Sequence, residues 1–163
     1  MIKTSTESQV TIRRAVFEEA RQIGELALRS KAYWGYDAEF MAACRPLLML
    51  PPEYIAGHPV FVIEAQGEIV GFYSLAGVET EVELDHLFID PSAIGRGYGK
   101  RLFRHAVATA AQLGFRQMVI ESDPHAEPFY QTMGAVRFGE RLSSVGTDRR
   151  LPLLRLNLEA DQG

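Results

Sequence analysis

The sequence predicts one α/β domain: a mixed, mostly antiparallel sheet with one central parallel strand pair and helices on both faces. Three observations predict it. Apolar runs at 60–65 and 69–78 are joined by Gln66-Gly67, a hairpin signal, and 81–89 follows closely, so these strands pair antiparallel. A full helical pattern over 97–113 lies between the runs 81–89 and 117–121, so that pair is parallel. Helical patterns elsewhere carry apolar stripes that a sheet must cover.

The elements follow in order. Residues 10–14 read as a short strand. A helix is expected over 17–29, with Glu18 and Glu19 in its first turn and Ala20, Ile23 and Ala27 on its buried face. Asp37 is a suitable N-cap for a helix over 37–44, which Pro46 is expected to end by disfavouring helical geometry at Arg45. After the hairpin strands, Leu102, Phe103, Ala106, Val107 and Ala110 mark the inner face of the 97–113 helix, and Gly114 stops it. A strand over 117–121, a short helix over 126–133 ended by Gly134, and strands over 136–142 and 151–158 complete the chain.

The 163 residues suffice for one domain, and 47% hydrophobic residues provide a core. The expected division is a flexible segment 1–9, a domain 10–158 and a tail 159–163. A net charge of -4 argues against a nucleic-acid-binding role and suits a positively charged substrate better. Cys44 is the only cysteine, and His58, His86, His105 and His125 are scattered, so neither a disulfide within the chain nor a metal site is expected. Residues 1–9 lack the apolar core of a signal peptide and no run reaches membrane-spanning length. A cytoplasmic protein without a membrane partner is the expectation.

The segment with most chemical content is Ile94-Gly95-Arg96-Gly97-Tyr98-Gly99-Lys100, between strand 81–89 and the helix after it. A helix N-terminus there aims unpaired N–H groups and a positive dipole end at a phosphate or pyrophosphate. A P-loop is excluded, because Arg101 follows Gly99-Lys100 and Ile94 stands where the first glycine belongs. A dinucleotide fingerprint has Lys100 in place of its third glycine, although Glu121 lies at a suitable distance. A plain glycine turn is the bland alternative.

These residues resemble the GNAT superfamily of N-acetyltransferases, whose Gln/Arg-x-x-Gly-x-Gly/Ala loop is matched here at Gly97 and Gly99 with further glycine at Gly95, while Ile94 takes the leading polar position. Ala126-Glu127-Pro128-Phe129-Tyr130-Gln131-Thr132-Met133-Gly134 resembles a second element of the family, with Asp123 where it usually has Asn. The resemblance spans 10–158. It implies acetyl-coenzyme A as co-substrate, with Leu87, Phe88 and Ile89 pairing with the pantetheine arm, Gly95, Arg96, Gly97, Tyr98, Gly99 and Lys100 around the pyrophosphate, and Asp123 at the cofactor. Arg101 and Arg104 lie close by, Arg104 being read as a solvated helix residue.

Acetyl transfer needs a neutral amine, a polarised thioester and a proton for the departing thiolate. Tyr130 is the candidate acid, since a phenol near the sulfur can protonate it. Glu83 is the candidate base, placed by simple alternation on the face of Asp85, Leu87 and Ile89; a solvated strand face is its other reading. His86 then falls on the opposite face as a packed histidine. The backbone N–H of Ile89 is the candidate oxyanion donor. Tyr33, Trp34 and Tyr36 are candidate acceptor-pocket residues or core aromatics, and His125 is a substrate contact or a surface residue.

The sequence therefore points to an acetyl-coenzyme A dependent N-acetyltransferase acting on a primary amine of a small molecule or peptide. The alternatives are a non-catalytic coenzyme A-binding sensor or assembly module and, further off, a nicotinamide nucleotide-dependent oxidoreductase. The acceptor, the pathway and the oligomeric state, including a homodimer, stay open.

Overall fold

The computed structural model describes residues 9–158; the expected tail 159–163 and all but Gln9 of the expected flexible segment lie outside the described residues. Gln9 itself is tied in, because its carbonyl accepts from the Gln66 N–H at 3.1 Å. The strands are β1 Val10–Arg14, β2 Val60–Ala65, β3 Glu68–Val78, β4 Glu81–Ile89, β5 Gln117–Glu121, β6 Val136–Leu142 and β7 Arg150–Asn157. The helices are α1 Ala20–Ala32, α2 Ala38–Leu48, α3 Pro52–Gly57, α4 Tyr98–Gln112 and α5 Glu127–Thr132, with single 3-10 turns at Phe17–Glu19, Pro91–Ala93 and Pro124–Ala126.

All seven strands form one sheet in the order β1-β2-β3-β4-β5-β7-β6. The β2–β3 hairpin turns at Gln66 and Gly67, both at positive φ, the geometry that matches strand twist. The expected parallel pair is β4 with β5, and every other ladder is antiparallel. Helices cover both faces. On one, Ile23, Leu26 and Ala27 of α1, Cys44 and Leu48 of α2 and Ile55 of α3 enclose Val60, Val62 and Phe72. On the other, Leu102, Phe103, Ala106 and Ala110 of α4 and Tyr130 of α5 pack on Ile63, Tyr73, Leu75 and Ile120.

The structure departs from the sequence reading in three places. The second helix does not stop at Cys44: it runs to Leu48 with Pro46 inside it. Only Leu47 and Leu48 follow the proline, and Leu48 is buried with Cys44 in the core under α1, so packing outweighs one missing backbone bond. Residues 52–57, for which no element is expected from the sequence, form α3, with Pro52 in its first turn where a missing N–H costs nothing.

The third concerns β4. Ser74 pairs with His86 but Leu75 pairs with Leu84, so Asp85 is an extra residue with no partner on β3. This bulge shifts the alternation by one. Val82 and Leu84 before it and Leu87 and Ile89 after it all pack in the α4 core. Glu83 therefore does not share the face of Leu87 and Ile89, and His86 lies on the same side of the sheet as Glu83, not opposite it.

Candidate active site

The parallel ladder is three residue pairs long, Glu81 with Gln117, Val82 with Met118 and Glu83 with Val119. Past it β4 continues to Ile89, while β5 keeps to β7 through the pair Glu121 and Leu153. The two strands diverge and leave one edge of β4 without a strand partner over 84–89. The opening is a cleft of about 910 Å³, lined by 84–89 on one wall and by Glu121, Ser122, Asp123 and Tyr130 on the other. Such a gap beyond the carboxyl ends of parallel strands is where ligands lodge in open α/β sheets.

The glycine loop closes one end. Gly95 and Gly97 adopt φ of +89° and +82°, which L side chains rarely take, and a Cβ at either would meet nothing within 4 Å. Gly97 is the N-cap of α4 and offers no capping side chain, so the first N–H groups of the helix remain available for an external acceptor. Gly95, Gly97, Tyr98, Gly99 and Lys100 line the cleft, as do Leu87, Phe88 and Ile89. Arg96, Arg101 and Arg104 are exposed beside it.

Tyr130 lines the cleft from α5 and is 7% exposed, with its ring against Phe103 and Phe129 at 5.8 and 5.2 Å. Burial, reinforced by the negative charge of Asp123, holds its phenol well above the ordinary tyrosine range. The group is neutral at any physiological pH and available as a proton donor.

Among the β4 carboxylates, the bulge makes Asp85 a cleft residue, whereas Glu83 borders a separate, smaller hollow with His58 and Phe115. Tyr54 of α3 donates to Asp85 Oδ2 at 2.5 Å and lies 3.1 Å from Ser74 Oγ, which is 2.8 Å from His86 Nδ1. The His86 side chain is 11% exposed, and its desolvation lowers its pKa. Asp85 is thus anchored by its neighbours and not solvated at random. Glu83 is pushed up from the usual carboxylate range by burial and then by the like charge of Asp85.

At the other end Asp123 joins four segments. Its Oδ2 accepts from Lys31 Nζ at 2.7 Å, from the Tyr36 hydroxyl at 2.9 Å and from Arg149 at 3.2 Å. Its Oδ1 accepts from the His125 N–H at 2.8 Å and lies 2.9 Å from His125 Nδ1. Despite its burial, these donors, Lys31 foremost, hold the carboxyl well below the usual carboxylate range. Both oxygens are engaged by the chain itself, so Asp123 joins loops at the cleft in addition to any cofactor role. Tyr33 and Trp34 are not core aromatics: they are 55% and 44% exposed at the cleft mouth, and Trp34 stacks on His125 at 4.8 Å. Tyr36 is half-buried and stacks on Phe40.

Asp85, Tyr54, Lys31 and Arg149 were not singled out from the sequence. Asp85 needed the bulge, and Lys31 and Arg149 reach the cleft, and Tyr54 reaches Asp85, only through tertiary contacts. No group of three or more His, Cys, Asp or Glu able to hold a metal ion occurs among the described residues, and no helix there is long and apolar enough to cross a membrane.

The family model for the acetyltransferase (GNAT) domain matches residues 48–148. The chain is 33% identical over 126 residues to the peptidyl-lysine N-acetyltransferase YjaB of Salmonella typhimurium, covering 77% of this chain and 82% of that protein. It is 28% identical over 139 residues to the 5-NmdU N-acetyltransferase of Pseudomonas phage PaMx11, covering 84% and 94%. The crystal structure of the PaiA N-acetyltransferase of Thermoplasma acidophilum in complex with coenzyme A superposes with a TM-score of 0.74 at 16% identity, over 91% of this chain and 99% of the other. An N-acetyltransferase structure from Rhodopseudomonas palustris gives 0.78 at 20% identity, over 93% and 97%. With the family model matched over more than half of the chain and a relative 33% identical over 77% of it, the chain belongs to the GNAT superfamily of N-acetyltransferases.

Proposed function

We propose that this N-acetyltransferase takes its acetyl group from acetyl-coenzyme A and passes it directly to a primary amine of a small molecule or peptide. The observation that carries the reading is the divergence of β4 from β5, with the glycine loop at one end and Tyr130 inside. The residues fit the co-substrate. Open N–H groups at residues 95–100 suit a pyrophosphate, with Lys100 adding charge, and the unpaired edge of β4 suits the amides of a pantetheine arm. PaiA, with the same fold, binds coenzyme A.

When bound, the co-substrate supplies an acetyl group already activated as a thioester. The chain supplies the rest. Asp85, directly or through a water, accepts the proton of the incoming ammonium, whose pKa of roughly 10.4 keeps it protonated at neutral pH. Backbone N–H groups along the free edge of β4, Ile89 among them, polarise the carbonyl. As the carbon–nitrogen bond forms and the carbon–sulfur bond breaks, the Tyr130 hydroxyl donates its proton to the sulfur, and the second proton shed by the nitrogen restores the phenol through water. Asp123 positions Tyr36, His125 and the β6–β7 loop around the acceptor, with Tyr33 and Trp34 at the mouth.

A second reading of the base rests on the raised pKa of Glu83, a property suited to a proton acceptor. The two carboxylates are separable. Asp85→Asn is expected to lower kcat/KM by roughly 10²-fold, the usual scale for a general base, and Glu83→Gln by only a few-fold. The reverse order would make Glu83 the base.

The overall test combines coenzyme A release over a panel of amines with thermal stabilisation by coenzyme A and by NAD, since a ligand that binds only the folded state raises Tm. Acetylated product with stabilisation by coenzyme A is expected. Binding without turnover would instead fit a sensor or assembly module, and stabilisation by NAD alone an oxidoreductase.

A further inference from the structure

The charges of the cleft are not spread evenly. Lys100 belongs to the glycine loop, and Arg141 and Glu121 neutralise each other at 3.0 Å. Two poles remain. One is Asp85, an anion whose hydrogen-bond donor, Tyr54, is neutral. The other is the cluster in which Lys31 and Arg149 share the single carboxylate of Asp123, with side-chain exposures of 14%, 17% and 13%.

That second pole carries an excess positive charge in a site largely withdrawn from water, where an uncompensated charge is costly and a bound anion relieves it. Its donors are also incompletely used. Among the described residues Lys31 donates only to Asp123, and Arg149 engages Ser143, Tyr36 and Asp123 with three of its five N–H groups. The stacked Tyr36 and Phe40 rings lie within 4.9–5.9 Å of both cations and fix them from behind.

We propose that the acetyl acceptor is a free amino acid, an amine that also carries a carboxylate, with its amine toward Asp85 and its carboxylate against Lys31 and Arg149. The inference rests on the acetyltransferase reading above and narrows its acceptor. A polyamine would bring a second cation against Lys31 and Arg149 and is disfavoured for that reason. The carboxylate can accept charge-assisted hydrogen bonds from the N–H groups that Lys31 and Arg149 leave unused.

The test uses amines that differ only in the carboxylate: lysine against 1,5-diaminopentane and phenylalanine against phenethylamine, with phosphoethanolamine against ethanolamine as the phosphate arm. A charge-assisted contact is expected to raise kcat/KM for at least one carboxylate-bearing partner by about tenfold or more, and Arg149→Gln to shrink that ratio. Trp34, the only tryptophan and stacked on His125 beside the cluster, gives a second readout that needs no turnover and no variant. Titration of the intact protein with 3-phenylpropionate should change its fluorescence saturably, and phenethylamine should do so far less. Equal or better turnover of the decarboxylated amines, preference for phosphoethanolamine, or preference for a lysine peptide with blocked termini would each overturn the proposal. If no amine is acetylated, the acetyltransferase reading fails, and the fluorescence titration still decides whether the cluster takes a carboxylate.

Discussion

Tyr130→Phe is expected to lower kcat by roughly 10²-fold while leaving coenzyme A binding close to that of the native protein, because the substitution removes one proton donor and keeps the ring. The ring packs against Phe103 and Phe129, so its shape is what the fold needs and its hydroxyl is what the chemistry needs. Its pKa is raised by burial and by the nearby Asp123, so the acid form persists through the alkaline range. With the native protein kcat/KM should therefore rise with pH as the amine loses its proton, with no decline near pH 10, the ordinary range of a phenol. Steady-state rates over pH 7–10.5, with coenzyme A affinity from thermal shift, check both points. An unchanged kcat in the variant would remove Tyr130 from the mechanism.

Asp123→Asn is expected to cost about 3 kcal/mol of stability, since breaking a buried ion pair leaves Lys31 and Arg149 facing each other without their carboxylate. For a chain of this size that is a fall in Tm of about 6–12 °C. The pH dependence has a definite sign. The folded-state pKa of Asp123 is depressed, so its contribution is fully present above the unfolded value of about 3.9 and is lost as pH drops below it. The native protein should lose Tm between roughly pH 5 and 3, and the variant should lose less across that window. Melting curves of the two proteins over that range provide the measurement, and parallel curves would show that Asp123 is not a major contributor.

Elements defined by local periodicity were legible in the sequence. The apolar spacing of Leu102, Phe103, Ala106 and Ala110, the Gln66-Gly67 turn and the glycine loop all carry their physics within a few residues. Pro46 misled because a local penalty was weighed without the packing of Leu48 that offsets it. Asp85 was hidden for a related reason. Alternation along β4 assumes an uninterrupted ladder, and whether a strand bulges depends on its partner, here the step from Ser74 to Leu75 on β3. Lys31 and Arg149 are 118 positions apart in the chain numbering and meet only because Asp123 lies between the segments that bear them. Tyr130 could be singled out because its neighbours Phe129 and Gly134 form a motif, whereas the residues around the acceptor belong to none.

The shortness of the β4–β5 ladder has a consequence for the backbone itself. A sheet joined across its middle by three residue pairs is a seam, and the amides of β4 that face it beyond Glu83 have no strand beside them. In the free protein those amides should exchange with deuterium far faster than their neighbours bonded to β3. On the proposed reading the pantetheine arm acts as the missing strand, so saturation with coenzyme A should slow exchange within 84–89 before it affects β1, β2 or β6. The co-substrate would then serve as a removable rung of the sheet as well as the source of the acetyl group.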